Sequence, residues 1–78
     1  MAQYKMKTKA GLEILDRVLI NKRLHIVAYR ERDKTYIVGI NYNVETGTWA
    51  QGYYDYLTRS SAVWAMIDHI TNYEIKST

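Results

Sequence analysis

Gly11-Leu12-Glu13-Ile14-Leu15-Asp16-Arg17-Val18-Leu19-Ile20 decides how the rest of this 78-residue chain is arranged. Leu12, Leu15 and Leu19 recur at spacings of three and four, with Ile14 and Val18 widening the stripe. Glu13, Asp16 and Arg17 lie on the other side, so the pattern predicts an amphipathic helix over 11–20. Thr8 stands at the N-cap position, and Asn21 marks the stop. Before the helix, Tyr4, Met6 and Thr8 alternate with Lys5 and Lys7, which predicts a short edge strand at a fraying terminus.

Three strands are expected next. Arg23 to Arg30 places Leu24, Ile26 and Ala28 on one face and His25, Val27 and Tyr29 on the other. Polar Glu31 to Lys34 suits a hairpin turn. Thr35 to Val44 sets Tyr36, Val38, Ile40 and Tyr42 against Ile37, Gly39, Asn41 and Asn43. Glu45-Thr46-Gly47 supplies the next turn, where Gly47 takes positive φ without steric cost. Thr48 to Tyr56 then sets Trp49, Gln51, Tyr53 and Asp55 against Ala50, Gly52, Tyr54 and Tyr56.

A second helix follows, capped by Thr58 or Ser60, with Val63, Met66, Ile67, Ile70 and Tyr73 as its apolar stripe and Trp64 at the shoulder. The expected fold is therefore α+β: a three-stranded antiparallel meander with two helices packed on one face, in the order α-β-β-β-α. The other face carries His25, Val27 and Tyr29 beside Ile37, Asn41 and Asn43. One domain spans 1–78, with 1–8 and 75–78 frayed.

Composition narrows the function. At 47% hydrophobic and 24% charged residues the chain is globular rather than disordered. The absence of cysteine excludes a disulfide, a thiol nucleophile and a cysteine-based metal site, and fits a reducing cytoplasm. No apolar run approaches the length of a membrane span or a signal-peptide core.

The two histidines, His25 and His69, lack metal-ligand spacing, and Asp68 and His69, being adjacent on a helix, point apart. Asp55 with Glu45 or Asp68 has no defined gap between carboxylates. Gly39, Gly47 and Gly52 form no phosphate-cradling loop. A non-enzymatic protein without cofactor, metal or membrane anchor is expected.

Eight tyrosines and two tryptophans without a single phenylalanine favour rings that are half buried and half wet. Tyr29, Trp49, Tyr53, Tyr54 and Tyr56 are the candidate protein-binding residues, acting on a partner or on a second copy through the sheet face or a strand edge. The net charge of +3 supports an alternative. Lys5, Lys7 and Lys9 form a basic arm that, with Arg23, Arg30, Arg32 and Arg59, would touch the phosphates of a nucleic acid. Residues 36–56 hold no lysine or arginine, so that binding would be weak and salt-sensitive.

The expected element order resembles that of the double-stranded RNA-binding domain, where a lysine cluster opens the last helix; here Leu57 to Ala62 provides Arg59 alone. Tyr29 to Ile70 is similar to the three-strand-plus-helix module of some phage and transposon integrases, with the Glu45-Thr46-Gly47 turn and with Ala62 and Ala65 on the helix. The stretch Asn41 to Asp55 resembles a segment of small proteins from bacterial prophages, plasmids and conjugative elements. That last resemblance implies a phage or mobile-element accessory protein.

Overall fold

The computed structural model describes residues 7–75. Its first element is a strand, not the expected helix. β1 (Glu13–Ile20) pairs antiparallel with β2 (Arg23–Arg30), and the register slips between Ile14 and Asp16. That slip explains the misleading spacing. One extra residue in β1 sends the even positions to opposite faces: Ile14 packs beside Ile26 and Ala28, whereas Val18 and Ile20 pack against Val27. An interrupted alternation of this kind mimics the three-and-four recurrence of a helix. The β-branched side chains Ile14, Val18 and Ile20 suit the strand.

Asn21, the expected helix stop, is instead half of a hairpin turn. Ile20 pairs with Arg23, and the two residues between them, Asn21 and Lys22, have φ of 51° and 63°. Positive φ at both central positions is the geometry of the two-residue turn whose twist matches a hairpin. Thr8 caps no helix; its hydroxyl accepts the Leu12 amide at 3.1 Å within a tight turn, and Lys7 bridges to Glu13.

β3 (Thr35–Asn43) pairs with β2, and β4 (Thr48–Tyr56) pairs with β3, both antiparallel. The sheet order is β1-β2-β3-β4, a four-stranded meander rather than three strands. Gly47 takes the expected positive φ of 73°, and Asn43 Oδ1 accepts the amides of Glu45 and Thr46 in the same turn.

After the sheet comes one α-helix, α1 (Arg59–His69), continued by a π-helical turn, Ile70–Ile75. Thr58 is its N-cap: the hydroxyl accepts the Ser61 amide at 3.1 Å. The architecture is therefore β-β-β-β-α. The expectation of two helices on a three-stranded sheet fails because β1 finds its hydrogen bonds and its apolar contacts in β2.

Register also reassigns the faces. Ala28 lies opposite Ile37 and Val27 opposite Val38. The helix face thus carries Val27, Val38 and Ile40 under Ala62, Met66 and Ile70 of the helical segment. The far face carries Ile14, Ile26, Ala28, Ile37 and Tyr42, with Leu12, Leu24 and Trp49 packed around them. The expectation that Ile37 joins Val27 on a face without a helix is reversed: Val27 lies under α1, and Ile37 sits opposite.

Alternation breaks near the end of β3 and again within β4. Ile40 packs on the helix face and Tyr42 on the far face although they are two residues apart; Asn41 between them is left-handed, with φ 57°. At the other end the register with β4 slips between Tyr36 and Val38, where Asp55 has φ 69°. Consequently Trp49 serves the far face, whereas Tyr53 and Tyr56 serve the helix face.

Candidate functional site

Register and bulges place the expected contact residues in scattered positions. Tyr29 is half-buried, its ring 5.1 Å from that of Tyr36. Trp49 is half-buried against Tyr42 on the far face. Tyr53 and Tyr56 are half-buried on the helix face. Tyr54 is 48% exposed, and its hydroxyl accepts the Trp49 indole N–H at 2.9 Å. These five rings do not share one surface; they are divided between the two faces.

The cations tell a similar story. Lys5 lies outside the described residues. Arg59 makes two 2.9 Å hydrogen bonds to the Asp16 carboxylate, fastening the start of α1 to β1. Arg30 donates to Asp33 and to Asp55, at 2.7 Å for the latter. Hydrogen bonds from Arg30, and then from the Thr35 hydroxyl, hold Asp33 down at about 2. Arg23 meets Glu74 at 3.5 Å. Lys7, Lys9 and Arg32 are exposed. Three of the expected phosphate-binding arginines are thus turned toward carboxylates of the same chain.

The largest apolar side chains offered to solvent lie elsewhere. On α1, Ala62, Met66 and Ile70 face the sheet. Trp64 is 70% exposed, and Ile67, one helical step away, is also exposed. Both belong to the side turned away from the sheet, so the expected stripe was centred too far round the helix. Leu57 projects just before the cap. Beside Trp64 runs a groove of about 460 Å³ lined by Arg59, Ser60, Val63 and Trp64 itself. From Ser60 to Ile67 no residue is charged. The sequence signal was available: Trp64 sits two positions from both Ala62 and Met66, a spacing that on a helix means nearly opposite sides.

A polar network that the sequence did not reveal joins the far end of the helical segment to the sheet. His25 is fully buried; its Nδ1 accepts the Asn41 amide at 3.1 Å, which leaves the ring proton on Nε2 to be donated to Glu74 Oε1, also at 3.1 Å. Asn21 Nδ2 donates to the Glu74 backbone carbonyl at 3.0 Å and also reaches its carboxylate. Burial lowers the His25 pKa, with Glu74 opposing it. Burial works against the Glu74 charge, but the Asn21 hydrogen bond and the charges of Arg23 and His25 outweigh it and lower the pKa.

Next to this latch, His69 stacks on Tyr73 at 4.8 Å and meets His25 edge-on at 5.9 Å. Gln51 Nε2 donates to the Tyr53 hydroxyl at 3.0 Å, and that hydroxyl is also hydrogen-bonded to His69 Nδ1 at 3.0 Å. Sequence reading missed this cluster because 44 positions separate its histidines, and only the pairing of β2 and β3 under the helix brings them together.

Among the described residues no group of histidine and acidic side chains forms a metal site, and no helix is long and apolar enough to cross a membrane. No protein-family model, no curated protein and no solved structure matches this chain, so the functional reading rests on its own residues.

Proposed function

We propose that this is a small non-enzymatic accessory protein, of the phage or mobile-element kind that its Asn41–Asp55 segment resembles, and that it acts by self-association through the outer face of α1. The observation that carries this reading is Trp64, 70% exposed in the middle of an uncharged helical stretch. The patch holds both a knob, the indole, and a groove beside it. A surface carrying knob and hole side by side is self-complementary about a two-fold axis, because each copy fills the other. Aromatic anchors of this kind dominate protein contacts.

Burying most of one indole is worth roughly 3 kcal/mol from area alone. Two such rings, set against an association cost of about 4–15 kcal/mol, give a weak, concentration-dependent dimer rather than an obligate one. The nucleic-acid alternative has less support, since Arg30 is occupied by Asp33 with Asp55 and Arg59 by Asp16.

Sedimentation velocity over a concentration series tests the reading. The wild type shifts from monomer to dimer, and Trp64→Ser stays monomeric with its folded spectrum intact. A wild type monomeric throughout, or a Trp64→Ser variant that dimerises as before, overturns it.

A further inference from the structure

A cleft of about 470 Å³ opens between β4 and the π-helical turn and is lined by Arg23, Ile40, Asn41, Gln51, His69 and Tyr73 among others. Its volume falls within the range of small-molecule sites. We propose that this cleft binds a small organic carboxylate with a flat apolar body, held by Arg23 and His69 and lying along Tyr73.

The Tyr53 hydroxyl, accepting from Gln51 Nε2, can give its proton to His69 Nδ1. In that arrangement the neutral His69 ring carries its proton on Nε2. Nε2 has no hydrogen-bond partner among the described residues, and the one buried polar side-chain atom without a partner is the Tyr42 hydroxyl. His69 Nε2 is therefore not sealed in the core, and its ring lines this cleft as well as the smaller one beside it. The ring is held in advance by its hydrogen bond to Tyr53 and by its tilted contact with the Tyr73 ring, which lowers the ordering cost of using it.

Arg23 supplies the charge. A single guanidinium nitrogen meets Glu74, at 3.5 Å, and the side chain is 59% exposed, so the remaining donors of the fork are available at the cleft. The Glu74 carboxylate is 4% exposed and is itself held by His25 and Asn21, so its charge is met from below. The neighbouring carboxylate, Asp68, lines a smaller cleft that shares His69 and Tyr73 with this one but not Arg23. Ile40 and the Tyr73 ring give an apolar floor and wall, which select a flat hydrophobic body over a bare inorganic anion. The site uses no residue of the Trp64 patch.

Benzoate, with neutral benzamide as its isostere, is the probe. In amide-resolved NMR on the full chain, benzoate shifts the signals of Arg23, Gln51, His69 and Tyr73 saturably at about millimolar concentration, the range open to so small a ligand. Benzamide binds at least tenfold more weakly. Arg23→Gln weakens benzoate at least tenfold, and Gln51→Ala, on the exposed edge strand, weakens it several-fold by freeing the Tyr53–His69 alignment. Trp64→Ser binds benzoate as the wild type does, whether or not the wild type dimerises. The proposal is overturned by shifts that do not saturate, by equal binding of benzamide, by full affinity in a folded Arg23→Gln or Gln51→Ala variant, or by loss of binding in Trp64→Ser.

Discussion

On the helix face, Val27 and Val38 are covered by Ala62, Met66 and Ile70, side chains delivered by a separate element. On the far face, Ile26, Ala28 and Ile37 are equally buried with no helix of the described residues over them; Ile14, Tyr42, Leu12, Leu24 and Trp49 pack around them. One face is roofed, whereas the other is closed by the sheet's own twisted strands and the turn that leads into β1. The difference teaches how so short a chain makes two cores. The bulge in β1 and the left-handed Asn41 in β3 send neighbouring side chains to opposite faces, so one strand feeds both.

Hollowing out each face in turn tests whether both are cores. Met66→Ala on the helix face and Ile37→Ala on the far face should each cost about 2–5 kcal/mol in urea unfolding, as buried large-to-small changes do. Nearly equal losses mean two true cores; a loss below about 1 kcal/mol for Ile37→Ala means that the far face is a skin.

A smaller effect tests the polar latch, which only the helix face has. Glu74→Ala strands the His25 Nε2–H in a buried site and should cost about 1–3 kcal/mol. The pH dependence has a definite sign. Burial holds the folded His25 pKa below its ordinary 6.5, so an unfolded chain binds that proton first. Its contribution is complete above 6.5 and is lost as pH falls from there through the folded value. Glu74, also lowered, contributes above 4.5 and loses that contribution as pH falls through its own folded value. Thermal melts from neutral to acid pH should therefore decline more steeply for the wild type than for His25→Gln; parallel curves would remove His25 from the balance.

The smallest effect belongs to the far face, where the buried Tyr42 hydroxyl has no hydrogen-bond partner. Tyr42→Phe removes an unsatisfied group and should leave stability unchanged or raise it by up to about 1 kcal/mol. A clear loss in the same urea titration would reveal a partner for that hydroxyl.

The comparison also shows what the sequence could and could not reveal. β2, β3 and β4 were legible because alternation and turn chemistry agreed: Gly47 took its positive φ, and Thr58 capped α1. β1 was not, because a short apolar run with a bulge has no clean period of two, and leucines three and four apart fit a helix equally well. The aromatic candidates were legible as types but not as a surface, since the switches at Asn41 and Asp55 redistribute them. Trp64 and the His25–Glu74 latch depended on which side of α1 meets the sheet, a tertiary fact that local pattern does not encode.

The order of the elements has a consequence for biosynthesis. Every strand pairs with its neighbour in sequence, so each hairpin can close as it leaves the ribosome, with little loop entropy to overcome. The residues that cover the helix face, Ala62, Met66 and Ile70, follow all four strands. Until they are translated, a nascent sheet shows Val27, Val38 and Ile40 to its surroundings, and that interval is when the chain is most open to aggregation and to capture by chaperones.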